Sequence, residues 1–161
     1  MRMLGGSVSL SVWTLGTSNR SLEDFIEIIK SYRIGVVVDV RRFPRSRFSY
    51  FCREELEGVL EGVGVRYLYL GDRLGGYREG GYIKHMESED FKKGLSILED
   101  VSRRERALIL CSERFPWRCH RRFIASELEG RGFRVIHIID KGREWIRKGW
   151  RRGSRGSGPL L

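Results

Sequence analysis

The sequence predicts an α/β fold: a single three-layer α/β domain with a mostly parallel five-stranded sheet. Five short apolar runs alternate with segments whose apolar residues recur at helical spacing, and each parallel crossover requires such a helix. A chain of 161 residues, 40% of them hydrophobic, is long enough to bury one core. We expect the domain to span residues 1–149. Residues 150–161, rich in Gly, Ser and Arg, are expected to form a disordered tail.

The first strand and helix are predicted near the N-terminus. Val8, Leu10 and Val12 alternate with polar residues, which indicates a strand that ends at Gly16. Ser21 precedes a stripe of apolar residues at helical spacing, so we expect its hydroxyl to cap that helix.

The middle of the chain predicts two more strands with a helix between them. Residues 35–40 form a β-branched run of the kind that is buried on both faces of a sheet. Leu56 and Leu60 belong to the apolar stripe of the next helix, and residues 65–70 form the third strand.

The rest of the chain predicts two further strand and helix units. Residues 71–87 are rich in glycine and too long for a simple connection, and such loops are usually functional or mobile. Ser88 is predicted to cap a helix, and residues 107–111 form the fourth strand. A last helix is expected to end at Gly132, before a strand at residues 135–139.

The charge and cysteine content disfavour a disulfide-stabilised scaffold and a membrane-spanning protein. The formal net charge is +10, and residues 141–161 hold seven basic residues and one acid. The tail could therefore improve solubility or contact a phosphate backbone weakly. Three cysteines do not predict a disulfide scaffold, and the apolar runs are too short to span a membrane. We expect a cytoplasmic protein with no membrane partner. The sequence does not predict an oligomeric state.

Polar segments follow four of the predicted strands, and the carboxyl ends of parallel strands share one edge of a sheet. Ligands bind at that edge in open α/β folds. Arginine side chains and helix N-termini there can hold anions, although plain helix capping and a solvated arginine surface explain the same residues. The candidate anion-binding residues are Ser18, Asn19, Arg41, Ser46 and Arg121.

The segment from the fourth strand to the last helix holds the candidate catalytic residues, which are Glu113, Cys119 and His120. Asp39 and Cys111 are expected to support them, although an ion pair and core packing are alternative roles for these two. Cys111, Cys119 and His120 match no standard zinc spacing, so no metal is expected. No phosphate loop or dinucleotide fingerprint occurs, and we expect no cofactor.

Three ordered motifs resemble the bacterial and archaeal family known as domain of unknown function 488. They are residues 14–19, then residues 39–41 with Pro44 and Ser46, then residues 111–121. The resemblance covers about residues 12–140. It implies a small three-layer α/β fold with a site formed by these motifs, and it implies no particular reaction.

A weaker resemblance is to rhodanese sulfurtransferases and to phosphatases built on the same fold. It would make Cys111 the nucleophile of an oxyanion loop that ends at an arginine five residues later. Here Arg118 is seven residues after Cys111, and Pro116 removes one amide donor.

The leading functional hypothesis is an enzyme that acts on a nucleotide, nucleoside or nucleic-acid substrate. A hydrolase or transferase acting at a glycosidic or phosphate-linked centre would use a carboxylate with anion-binding arginines. Alternatives are a nucleic-acid-binding module without catalysis, and a rhodanese-like sulfurtransferase or cysteine phosphatase. The expected partner is thus a phosphate-bearing small molecule or nucleic acid.

Overall fold

The computed structural model describes residues 10–147, which form one mixed, mostly parallel sheet with helices on both faces. The strands are β1 (Leu10–Gly16), β2 (Val36–Asp39), β3 (Arg66–Tyr69), β4 (Ala107–Cys111), β5 (Phe133–Asp140) and β6 (Arg143–Trp145). The helices are α1 (Leu22–Ser31), α2 (Arg53–Gly62), α3 (Gly71–Leu74), α4 (Tyr82–His85), α5 (Glu89–Arg104) and α6 (Arg121–Gly130). Short 3-10 helices lie at Ser49–Phe51 and Pro116–Arg118.

The strand order is β3-β2-β4-β1-β5-β6, and every pair is parallel except β5 with β6. The prediction of an α/β fold with a mostly parallel sheet is confirmed, but five strands is wrong because β6 adds a sixth. Gly142 has a positive φ of 78° in the turn between β5 and β6. β6 has only three residues and no alternating apolar pattern, so periodicity gave no sign of it.

The core has two parts, one on each face of the sheet. Helices α1 and α2 cover one face, and α3, α5 and α6 cover the other. Strand β2 contributes to both parts, since Val36 and Val38 face α5 whereas Val37 faces α1 and α2. All four residues of β2 are buried, as a continuous β-branched run predicts.

The predicted helix caps are confirmed. The Ser21 hydroxyl accepts a hydrogen bond from the Asp24 amide at 3.0 Å, and the Ser88 hydroxyl accepts one from the Phe91 amide at 3.1 Å. The glycine-rich segment at residues 71–87 is not one continuous loop, because it contains α3 and α4. Each of these helices has only four residues, which is about one turn, so their apolar residues cannot show a helical period in the sequence.

The strand order creates a crevice at the carboxyl edge of the sheet. β2 and β4 are neighbours, but the chain leaves β2 towards β3 and leaves β4 towards β5, on opposite sides. Open α/β sheets bind ligands where adjacent strands diverge in this way. Among residues 10–147, no helix is long and apolar enough to cross a membrane. The predicted boundary at residue 149 and the tail lie outside the described residues.

Candidate functional site

A cleft of about 630 Å³ opens where the segments after β2 and β4 separate, and the loop after β3 closes one side of it. Half of the ten residues predicted for the site line this cleft: Arg41, Cys111, Glu113, Cys119 and His120. The other five are Ser18, Asn19, Asp39, Ser46 and Arg121, and they lie behind the cleft wall or away from it.

Asp39 and Arg41 form a buried ion pair beneath the cleft. Arg41 Nε lies 2.8 Å from Asp39 Oδ1, and Nη2 lies 2.8 Å from Oδ2. Nη1 of Arg41 donates to the Phe51 carbonyl at 2.7 Å, and the Tyr67 hydroxyl donates to Asp39 Oδ2 at 2.6 Å. Burial, together with the charge of Asp39, raises the pKa of Tyr67 well above its usual range. The paired face of the Arg41 guanidinium is therefore occupied and cannot also hold a substrate anion bidentately.

Arg121 is fully buried at the start of α6. Its Nη2 donates to the Glu113 and Arg114 carbonyls, both at 2.9 Å, and its Nη1 donates to the Thr14 hydroxyl at 3.2 Å. The Thr14 hydroxyl in turn lies 2.7 Å from Nδ1 of His137. Arg121 thus fixes the main chain after β4, and its guanidinium does not face the cleft.

Glu113 lies on the turn that follows β4, and its side chain is exposed to the cleft. The turn packs so closely against β1 that a Cβ atom on Gly16 would lie only 1.7 Å from the Glu113 carbonyl oxygen. No ion pair holds the Glu113 carboxylate within the described part of the chain. Its backbone is therefore fixed while its carboxylate is available to a ligand.

Cys111 and Cys119 meet at the floor of the cleft, with their Sγ atoms 2.8 Å apart. Burial alone would raise the pKa of Cys111, but the hydrogen bond from Cys119 and the positive charge of Arg121 lower it below the usual range of a thiol. The hydrogen bond to Cys111 and burial raise the pKa of Cys119. The pair therefore favours a thiolate on Cys111 and a thiol on Cys119.

His120 is neutral near pH 7, because burial and neighbouring arginines lower its pKa to about 4. Its Nε2 donates to the Val40 carbonyl at 3.1 Å, and its Nδ1 lies 3.7 Å from Cys119 Sγ. The ring packs against Gly76 and Tyr82. His120 thus joins the segments that follow β2, β3 and β4, and its Nδ1 can accept a hydrogen bond.

Two exposed aromatic side chains stand at the mouth of the cleft. Phe43 is 61% exposed and Tyr77 is 85% exposed, and their ring centroids lie 6.2 Å apart. Arg42 connects them, since it donates to the Tyr77 carbonyl and lies over the Phe43 ring at 5.4 Å. Surface aromatics of this size beside a cleft are typical of ligand-binding sites.

Ser18 and Asn19, predicted to bind an anion in the segment after β1, form contacts within the protein instead. The Thr17 amide donates to the Cys111 carbonyl at 2.8 Å, and the Ser18 amide donates to the Ser112 carbonyl at 2.9 Å. The Ser18 hydroxyl bonds to the Asn19 side chain at 3.4 Å. These contacts tie β1 to the turn after β4 instead of leaving the two amides for a ligand.

Ser46 has a local structural role. Its hydroxyl accepts from the Phe48 amide at 3.0 Å, and its carbonyl accepts from the Cys52 thiol at 3.3 Å. The structure therefore joins Ser46 to the 3-10 helix that begins at Ser49 rather than to the cleft.

Sequence reasoning did not assign the cleft residues contributed by the glycine-rich loop, which are Gly76, Tyr77 and Tyr82. The available signal was the length and glycine content of residues 71–87. A Cβ atom on Gly71 would lie 1.9 Å from the Arg41 carbonyl oxygen, so this glycine lets the loop approach the segment after β2. That approach brings the two tyrosines to the cleft.

The fold and the cleft define an α/β protein with a doubly covered sheet and a crevice where strand connections diverge. The chain belongs to the family described as Domain of unknown function DUF488, whose sequence model matches residues 21–128. The matched region runs from the cap of α1 into α6 and contains every residue that lines the cleft. The predicted family is thus confirmed, and the matched region contains the second and third motifs, whereas residues 14–19 precede it. No curated protein and no solved structure matches the chain.

Proposed function

We propose that this protein is an enzyme that binds a phosphate-bearing ligand with a planar base and hydrolyses or transfers it at a glycosidic or phosphate-linked centre. A nucleotide, or one nucleotide unit of a nucleic acid, has this chemistry. The observation that carries the proposal is a concave cleft that holds Glu113 together with several arginines and two exposed aromatic rings.

The shape of the site favours an enzyme over a binding module. A non-catalytic nucleic-acid-binding module would need a flat, open basic surface, whereas an enzyme needs a pocket that holds a substrate against a reactive group. Glu113 and Arg41 line the same cleft, and Glu113 is its only carboxylate among the described lining residues. This arrangement supports a reaction at Glu113.

The charge of the cleft supports an anionic ligand. Arg42, Arg45 and Arg118 line it, and neither Arg45 nor Arg118 forms an ion pair with another residue in the described region. Arg41 already has its counter-ion in Asp39. A phosphate group would therefore bind near Arg45 and Arg118, since guanidinium groups match phosphate geometry.

The aromatic rings at the mouth support a planar ligand. A nucleobase stacked on Phe43 or Tyr77 would cover apolar surface that is otherwise exposed, and such stacking contributes about 1–3 kcal/mol per base. The base would then lie against Phe43 or Tyr77, and the phosphate would lie near the exposed Arg45 and Arg118. The reacting centre between them would lie within reach of Glu113.

In this proposal Glu113 acts as the general base or as the nucleophile. Its carboxylate is exposed to the cleft while Arg121 holds its backbone, so it can meet a substrate without a large rearrangement. Neutral His120 offers Nδ1 as a hydrogen-bond acceptor beside Cys119.

A binding titration with nucleoside mono-, di- and triphosphates and with short single-stranded oligonucleotides tests the proposal. Arg118→Gln and Tyr77→Ala should each weaken binding by about tenfold, since each removes roughly 1–2 kcal/mol of contact energy. Arg104→Gln is the matched charge control, because Arg104 lies on α5 away from the cleft and pairs with Asp100. Ile83→Ala is the matched control for loss of an exposed apolar side chain.

The outcome also separates the competing functions. Binding together with turnover that depends on Glu113 supports the enzyme. Binding of long oligonucleotides without any turnover would favour the module. Sulfurtransferase or phosphatase turnover that is lost in Cys111→Ser would overturn the proposal in favour of the thiol enzymes. No binding to any of these ligands would reject the proposed site.

A further inference from the structure

The cysteine pair at the cleft floor has a geometry that core packing does not require. Cys111 ends β4 and Cys119 lies just before α6, and the turn between them brings their Sγ atoms to 2.8 Å. A disulfide bond is about 2.05 Å long, so the two sulfurs need to move by less than about 1 Å to form one. Both are free cysteines in the described structure.

The buried guanidinium of Arg121 gives this pair an electropositive setting. Arg121 forms no ion pair within residues 10–147, and its Nε has no hydrogen-bond partner there. An isolated buried cation is costly, so a negative charge nearby is favourable. The Arg121 amide also lies 3.5 Å from Cys119 Sγ. Charge that develops on either sulfur is therefore stabilised.

The pair is deeply placed, since Cys111 is 1% exposed and Cys119 is 7% exposed. Cys111 and Cys119 both line the cleft, which is wide enough to admit a small molecule. The third cysteine, Cys52, lies elsewhere, where its thiol donates to the Ser46 carbonyl at 3.3 Å. Cys52 is half-buried and has no cysteine partner among the described residues. It therefore provides an internal comparison.

We propose that Cys111 and Cys119 form a redox-active dithiol that exchanges with small-molecule disulfides and closes to an intramolecular Cys111–Cys119 bridge. This activity is separate from the action on nucleotides proposed for the same cleft. It follows from the approach of the two sulfurs, the buried cation beside them and the opening of the cleft onto both.

The exchange has two steps, and the co-reactant is a disulfide of the type RSSR. The Cys111 thiolate attacks one sulfur of RSSR, which forms a mixed disulfide on Cys111 and expels RS⁻. Cys119 gives its proton to the RS⁻ released in the first step, and its sulfur attacks the Cys111 sulfur, which expels the second RS⁻. The protein dithiol is oxidised by two electrons, RSSR is reduced, and two RSH leave after protonation.

The order of attack follows from the difference between the pKa values of the two thiols, since the pKa is lowered for Cys111 and raised for Cys119. Cys111 is the nucleophile because the lowered pKa of its thiol gives it more thiolate at neutral pH. Cys119 is the resolving residue, and its sulfur lies 3.7 Å from Nδ1 of His120, which can accept a hydrogen bond from the thiol.

Mass spectrometry of the folded full chain tests the exchange, with oxidised glutathione as the probe. Trypsin cleaves after Lys and Arg, so it releases Cys52, Cys111 and Cys119 in three separate peptides, at residues 48–53, 107–114 and 119–121. We expect the peptides at 107–114 and 119–121 to be recovered as one cross-linked species that dithiothreitol separates.

Two variants assign the roles. Cys119→Ser should stop at the mixed disulfide, with glutathione on Cys111. Cys52→Ser should form the bridge as the native chain does. The native-chain measurement needs no variant, so the test stands even if Cys119→Ser folds poorly.

The proposal is overturned if peptides 107–114 and 119–121 stay reduced in the folded chain while Cys52 takes up glutathione. It is also overturned if the cross-link forms only in denaturant, because the folded geometry would then not direct it. The assay contains no nucleotide, so its result is independent of the binding titration.

Discussion

The guanidinium group of Arg41 lies edge-on against the Asp39 carboxylate, with two nitrogen to oxygen distances of 2.8 Å, and both side chains are buried. From the sequence, Asp39 and Arg41 were equally consistent with an ion pair and with a ligand-binding site. In the structure the ion pair orders the segment after β2, which forms one wall of the cleft. Arg41 therefore shapes the site more than it offers a free anion-binding group.

Asp39→Asn should lower the free energy of unfolding by about 3–5 kcal/mol, because it leaves a buried guanidinium without its counter-charge. Urea denaturation of the variant measures this loss. Tyr67→Phe is the matched control, since it removes only the hydrogen bond of one hydroxyl to the same carboxylate and should cost about 1 kcal/mol. Equal losses in the two variants would contradict a charge-based role for Asp39.

Gly16→Ala should destabilise the protein by more than about 2 kcal/mol. The added Cβ would lie 1.7 Å from the Glu113 carbonyl oxygen, so the turn after β4 must move. Gly58→Ala in α2 is the matched control, because nothing lies within 4 Å of its added Cβ and alanine favours a helix by about 1 kcal/mol over glycine. Thermal denaturation should show the two variants shifted in opposite directions. A Gly16→Ala variant as stable as the native protein would show that the turn is not fixed against β1.

Glu113→Gln should leave stability within about 0.5 kcal/mol of the native value, because the side chain is exposed and no described ion pair holds it. Ligand binding should persist, whereas turnover should fall by at least about a hundredfold if Glu113 is the base or nucleophile. Glu57→Gln, on the exposed face of α2, is the matched control and should retain full activity. A folded Glu113→Gln variant with native turnover would remove Glu113 from the catalytic role.

Stability should fall with acidification between about pH 6.5 and pH 4, partly because of His120. Its pKa is about 4 when folded and near 6.5 when unfolded, so the unfolded state binds more protons in this window. The free energy of unfolding therefore rises with pH across the window, by up to about 3 kcal/mol from this residue. Burial also lowers the pKa of His137, which acts in the same direction.

His120→Gln should flatten the pH dependence, because glutamine can still donate to the Val40 carbonyl but does not titrate. Urea denaturation at several pH values measures the slope for both proteins. An unchanged slope would show that His120 is solvated and protonates in the folded state.

Much of the fold could be predicted because its signals are local. Alternation in β1, the β-branched run of β2 and the caps at Ser21 and Ser88 each depend on neighbouring residues in the chain. The sequence also predicted the edge of the sheet at which the candidate cleft lies, since the carboxyl ends of parallel strands meet there. Strand β6 did not follow, because three residues paired to β5 have no pattern of their own.

The sequence predicted some residues of the candidate site but not the contacts that they make, and there is a physical reason for this difference. The sequence by itself determined the α/β class, the family and the polar segments after β2 and β4, because strand and helix periods and ordered motifs are properties of the chain. Only the tertiary structure decided which partner each buried group takes. Arg121 binds the Glu113 carbonyl instead of a ligand, and the sulfurs of Cys111 and Cys119 meet. Such pairings depend on distances between segments that packing brings together, and residue types along the chain do not specify those distances.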